Sequence, residues 1–404
     1  MGYYSIWPYF VGMSIVLLLA STPLLSWASS PPTAAQSRIR TLDGLRGFLA
    51  LGVVFHHAAI YHEYIRTGAW VPPPSRFYAG IGPIGVALFF MITGYLFWTQ
   101  MLIAHGRPNF LKLYLGRIFR IVPLYTFLAV VLLATVGIMT QLQLREAPLV
   151  LLGQVAGWLA GGVLAGQDVN GYPLTGEISA FVTWTLRYEW AFYGTLLLTS
   201  FFGRRLVSGI LFPVVTLLIA GALLVIHPGN RRLAVVATFG VGMIAAAVSH
   251  VAQGRAIALP QWLKSVAAAA CLVTVFLVSG DDYTLPPILI LGVVFALLVF
   301  DTTLFGVLLS EPARRLGNIS YGIYLLQGPI LFAVFTPARI RALALASPWG
   351  HWAVVISATL VLVLVATATH AGIERPWIDF GRRMWARLSA TSSRAHSIEP
   401  KLTR

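Results

Sequence analysis

The feature that most constrains this chain is a succession of about eleven apolar stretches, each close to the roughly 20 residues a helix needs to cross a bilayer. They fall near 6–28, 42–61, 81–102, 121–140, 179–201, 206–226, 233–252, 262–279, 285–308, 316–336 and 351–373, with short polar connections between them. Together they occupy more than half of the 404 residues, which leaves no room for a sizeable soluble domain. Only 10% of the residues are charged, where a soluble domain carries about 25%. The expected fold is all-α, a polytopic transmembrane bundle of ten core helices plus one extra N-terminal helix.

Charge then orients the bundle. The net charge of +15 would suggest nucleic acid in a soluble protein, but here the 28 Lys and Arg sit between apolar stretches, as cytoplasmic loops require. A further apolar segment, Ala147–Gly166, is interrupted by Gly153, Gln154, Gly157, Gly161 and Gly162. Positive charge gathers on the side of Arg38 and Arg40 only if this segment does not span, so it reads as re-entrant or interfacial. The C-terminus is then cytoplasmic. The first stretch, Ile6 to Ala28, is signal-like, with Ser26-Trp27-Ala28-Ser29 behind it, but it has no Lys or Arg ahead of it, so an extra helix is the better reading. Residues 1–37 thus form an extra helix and linker, 38–380 the membrane domain, and 381–404 a basic tail expected to be disordered after Trp385. The single Cys271 lies in an apolar run and reads as a buried thiol.

Ionisable side chains inside a span are costly and therefore mark candidate sites. The stretch Leu42–Tyr61 holds Asp43, Arg46, His56 and His57. At 100° per residue Arg46 and His57 lie within about 20° of each other and roughly 16 Å apart along the axis, whereas His56 points about 80° away. His57 is the expected catalytic group, with Arg46 and Asp43 below it on the same face. His57 and His62 are five residues apart rather than four, and no other histidine cluster exists, so no metal site is expected. Arg117 and Arg120 share a face at the cytoplasmic edge, where paired guanidinium groups suit phosphate. In TWTLRYEWAFY, Glu189 needs a partner inside the bundle, which His57 could supply, and Tyr193 falls on the same side as Glu189. Such a His–carboxylate pair would orient an imidazole for general-base work. LGNISYGIYLLQGPI places Ser320, Tyr321, Tyr324 and Gln327 on one helix as polar packing groups.

Taken together these motifs resemble the integral-membrane acyltransferase type 3 family. RTLDGLRGFLALGVVFHH is similar to the family's first-helix signature, with Arg46 and His57 at its Arg and His positions. GVALFFMITGYLF, Arg117-Ile-Phe-Arg120-Ile-Val-Pro123, TWTLRYEWAFY, ISYGIYLL and Glu374-x-Pro376 match further motifs in order, from about Arg40 to Trp377. Departures are Gln327 where histidine is frequent, Thr185 for serine, Ala87 for a polar residue, and the unusual Arg187 and Trp190.

The resemblance implies transfer of an acyl group, usually acetyl from acetyl-CoA, to a hydroxyl of a saccharide or glycan such as an exopolysaccharide or lipopolysaccharide, in the bacterial inner membrane. It implies His57 with Arg46 as catalytic residues, His57 acting either as general base or as a transient carrier of the acyl group; Glu189 and Tyr193 are expected to orient or stabilise. Arg117, Arg120 and Arg46 would bind the donor, while Asp43, Trp184 and Tyr324 are candidate substrate contacts. The expected partners are membrane lipid, acyl-CoA, a glycan acceptor and glycan-assembly proteins; no bound cofactor and no nucleic acid are expected. Two rival readings are acyl transfer to a cytoplasmic small molecule such as a macrolide, and transport of a small solute.

Overall fold

A computed structural model describes residues 2–29, 39–164, 166–252, 258–279 and 284–397, with side chains described up to residue 389. Arg38 and the linker, together with the last residues of the basic tail, lie outside the described residues. The described chain is all-helical, with one isolated bridge between Val169 and Tyr172 and no strand. The helices are α1 (Trp7–Ser21), α2 (Arg40–Thr67), α3 (Arg76–Ile103), α4 (Phe110–Met139), α5 (Pro148–Leu159), α6 (Trp184–Thr199), α7 (Leu206–Ile226) and α8 (Arg231–Ala252). They continue as α9 (Gln261–Val278), α10 (Leu285–Val299), α11 (Glu311–Asn318), α12 (Ser320–Phe335), α13 (Ala338–Ala346), α14 (Pro348–Thr369) and α15 (Arg375–Ser397).

Among the described residues seven helices are long and apolar enough to cross a membrane, or eight if α11 and α12, bent by 66°, form one span. Three expected spans are shorter here: α1 and α10 have 15 residues each and α6 has 16. At 1.5 Å per residue these reach about 24 Å at most, less than the ~30 Å hydrocarbon core. The Ala147–Gly166 segment yields only the 12-residue α5, closed by Gly161 and Gly162 at φ +69° and +80°. Those left-handed angles favour glycine, so the interruption seen in the sequence is where the helix stops. Helix α15, which carries the basic tail, is described through Ser397.

The centre of the bundle is α2 and α3, both largely buried, while α7 and α9 turn Leu211, Val215, Leu218, Val273 and Leu277 outward. Small residues set the closest crossings, as they must where lipid supplies no hydrophobic drive between helices. A Cβ on Gly242 of α8 would collide with the Met91 carbonyl of α3, and one on Gly317 of α11 with the Asp43 carbonyl of α2. The latter crossing sets α12 against α2, and α12 then carries Tyr321, Tyr324 and Gln327 inward.

Helix α1 is pinned to this frame. Arg315 donates to the carbonyls of Ala20 (3.0 Å) and Thr22 (2.8 Å), Asn318 to that of Ala28 (2.8 Å), and Trp352 to that of Tyr3 (2.9 Å).

Candidate active site

His57 sits seventeen residues beyond Arg40 on α2, beside α12. Its Nδ1 lies 3.1 Å from Oε1 of the fully buried Gln327. The amide cannot turn over, because Gln327 Nε2 donates to the Tyr324 carbonyl at 2.8 Å. Only the oxygen is therefore available to the ring, Nδ1 carries the hydrogen, and the lone pair resides on Nε2. His56 differs: its Nδ1 donates to the Tyr78 carbonyl at 2.6 Å, tying it to the start of α3. The two rings meet edge to face at 5.1 Å.

Both histidines line a cavity of about 650 Å³ that also receives Trp70, Trp158, Trp184, Asp168, Arg187 and Arg231. Its wall includes the 174–181 segment, in which Leu174, Ala180 and Phe181 hold φ between +48° and +55°. Left-handed non-glycine residues cost energy and concentrate at functional sites. The segment is held by surrounding bonds: Thr175 N donates to Asp168 Oδ1 (2.9 Å) and Val169 N to Thr175 Oγ1 (3.0 Å). Trp158 and Trp190 clasp the adjoining turns through the Gln167 and Gly161 carbonyls.

A second, smaller cavity of about 70 Å³ lies around Arg46, Glu189, Ser320, Tyr321 and Tyr324. Tyr193 donates to Glu189 Oε2 at 2.9 Å and in turn accepts from Arg117. Arg117, Arg46 and Arg120 all act electrostatically on the Glu189 carboxylate, so three cations from α2 and α4 converge on one half-buried acid. Arg117 also lies 4.9 Å above the Phe97 ring, a favourable position for a guanidinium. Tyr324 hydrogen-bonds Thr185 (3.1 Å) and the Val182 carbonyl (3.2 Å), and its own carbonyl holds Gln327. This residue therefore touches both the small cavity and the group that sets His57.

A protein-family profile described as a type 3 acyltransferase domain matches residues 39–368. The chain belongs to this acyltransferase family. No curated protein and no solved structure matches it.

The acyltransferase thus gathers the sequence-derived residues into two places rather than one. His57 and Trp184 line the large cavity, whereas Arg46, Glu189 and Tyr324 line the small one, with Tyr193, Arg117 and Arg120 behind it. Asp43 lines neither cavity. The expected approach of Glu189 to His57 is not what forms: the carboxylate is committed to Tyr193 and the arginines, and Gln327 occupies the place beside the imidazole. Spacing along α6 correctly put Glu189 and Tyr193 together, but it carries no information about depth relative to α2. Gln327 was the residue the motif reading passed over as packing. Its signal lay in its polarity within an otherwise apolar stretch of α12. No group of three or more His, Cys, Asp or Glu suited to a metal occurs among the described residues.

Proposed function

We propose that this multi-pass membrane acyltransferase moves an acyl group, acetyl in the first instance, from acyl-CoA to a hydroxyl of a saccharide or glycan. The observation that carries this reading is His57, held in one tautomer by Gln327 at the wall of a cavity large enough for a sugar. In this reading ten core helices and one N-terminal helix cross the bacterial inner membrane, with α6 and α10 as short spans and the C-terminus in the cytoplasm.

The CoA phosphates bind at the Arg117, Arg120 and Arg46 end, with Asp43 at its margin, where guanidinium forks suit phosphate geometry. The thioester reaches toward His57 past Tyr324, and Trp184 covers one face of the acceptor. As the acceptor hydroxyl oxygen attacks the thioester carbon, its proton passes to His57 Nε2. The carbon–sulfur bond breaks, and the departing thiolate takes that proton to leave as CoA thiol. Glu189 and Tyr193 hold the arginines in place rather than touching the imidazole.

The test is label transfer by the full-length protein in lipid nanodiscs, from labelled acetyl-CoA to a cell-envelope glycan extract. Transfer that is weakened by Arg117→Ala and Arg120→Ala chiefly through KM for acetyl-CoA supports the reading. Donor consumption that is independent of any acceptor, or a KM unmoved by both variants, contradicts it.

A further inference from the structure

Arg187 departs from the motif around it, and the structure gives that departure a place. It lines the large cavity one helical turn after Trp184, and the Arg231 guanidinium stands 4.9 Å over the Trp184 ring. Two cations, from α6 and α8, thus share the cavity wall with Trp184 and His57. The acid in the same wall, Asp168, already spends Oδ1 on the Thr175 amide. Among the described residues Arg187 makes no ion pair within 4.0 Å. An aromatic face covers the apolar face of a sugar ring, and a guanidinium beside it offers paired donors to an anionic oxygen.

We propose that the acceptor bound in this cavity is an anionic saccharide, its charge a carboxylate or a phosphate, and that Arg187 together with Arg231 reads that charge. The proposal rests on the saccharide acyltransfer reading above for its ligand class, yet binding alone can test it. Arg187 acts on acceptor choice and leaves the chemistry at His57 alone. Because Arg187 is largely exposed, water screens its charge and the discrimination it supplies is modest, about tenfold.

The experiment measures binding of radiolabelled methyl glucoside, methyl glucuronide and glucose 6-phosphate to the full chain in nanodiscs, by equilibrium dialysis, for wild type, Arg187→Gln and Arg187→Lys. The same samples are then assayed for label transfer from acetyl-CoA. The expected result is about tenfold tighter binding of at least one anionic sugar than of the neutral one. That preference should fall to within twofold in Arg187→Gln and be largely kept in Arg187→Lys, with unchanged thermal unfolding. Preference for the glucuronide identifies a carboxylate, and preference for the sugar phosphate a phosphate. Equal binding of all three sugars by wild type, or a preference that survives in Arg187→Gln, overturns the proposal and leaves Arg187 as a headgroup anchor. Transfer to the neutral sugar without any charge preference overturns it while sustaining acyltransfer. An Arg187-dependent preference in binding with no transfer to any of the sugars sustains the anion site and counts against the saccharide acceptor of the proposed function.

Discussion

Replacing Gln327 by Leu removes the side-chain oxygen that faces His57 Nδ1 while keeping the side chain's bulk in a fully buried position. The loss has two parts. The Nδ1–H···Oε1 hydrogen bond contributes about 1 kcal/mol net, and leaving the buried ring with only the Val53 backbone as a partner costs up to a further 1–3 kcal/mol. The imidazole can relieve part of that cost by moving its hydrogen to Nε2, which removes the lone pair that must accept the acceptor's proton. About 1.5–3 kcal/mol lost from the transition state is a fall of roughly 10- to 100-fold in kcat, at 1.36 kcal/mol per tenfold. Substrate contacts are untouched, so KM for acetyl-CoA and for the glycan acceptor should each stay within about twofold. Gln327→His puts a hydrogen-bonding ring in place of the amide, and should recover most of kcat. The assay is steady-state label transfer in nanodiscs, with thermal unfolding as a check on folding. If Gln327→Leu keeps wild-type kcat, or loses activity only through KM, then Gln327 does not set the tautomer of His57.

Gly317→Ala should lower the thermal unfolding temperature sharply, by the equivalent of several kcal/mol, because its Cβ would fall on the Asp43 carbonyl where α11 crosses α2. Arg315→Ala should cost about 2–3 kcal/mol and expose the α1 junction to protease, since Arg315 binds the Ala20 and Thr22 carbonyls; an unchanged digestion pattern would contradict that docking. Glu177, in the loop before α6, has its carboxyl raised by burial and by Asp168, against the lowering effect of a Tyr64 hydrogen bond. The folded state therefore binds this proton more tightly than the unfolded one, so stability falls as pH rises from the ordinary carboxylate range through the raised value. Glu177→Gln should flatten that slope in thermal unfolding scans, and an unaltered slope would refute the assignment.

What the sequence made legible follows helix periodicity. The 3.6-residue repeat separates His57 from His56, and the structure sends the first to Gln327 and the second to the Tyr78 carbonyl. The same periodicity pairs Glu189 with Tyr193 across one turn. Glycines marked where α5 breaks, because two successive left-handed residues end a helix. Depth and register between helices were hidden. They depend on crossings such as Gly317 against Asp43 and on the 66° bend between α11 and α12, which are fixed by contacts distant in sequence. Hence spacing along one helix gives neither the partner of Glu189 nor the approach of Gln327, 270 residues away, to His57. Helix length was hidden for a related reason: hydropathy over 179–201 and 285–308 does not reveal that regular helix covers only Trp184–Thr199 and Leu285–Val299.

The central claim is that His57, and not its neighbour, accepts the proton of the acceptor hydroxyl. Single-turnover label transfer from acetyl-CoA, measured in nanodiscs for wild type, His57→Ala and His56→Ala, tests it most directly. The account predicts a loss of about 10²- to 10⁴-fold for His57→Ala, the range of general-base catalysis, with folding intact. For His56→Ala it predicts reduced thermal stability from the lost Tyr78 contact with transfer kept within about tenfold. Wild-type transfer rates in His57→Ala, or an equal collapse in both variants when both remain folded, would contradict it.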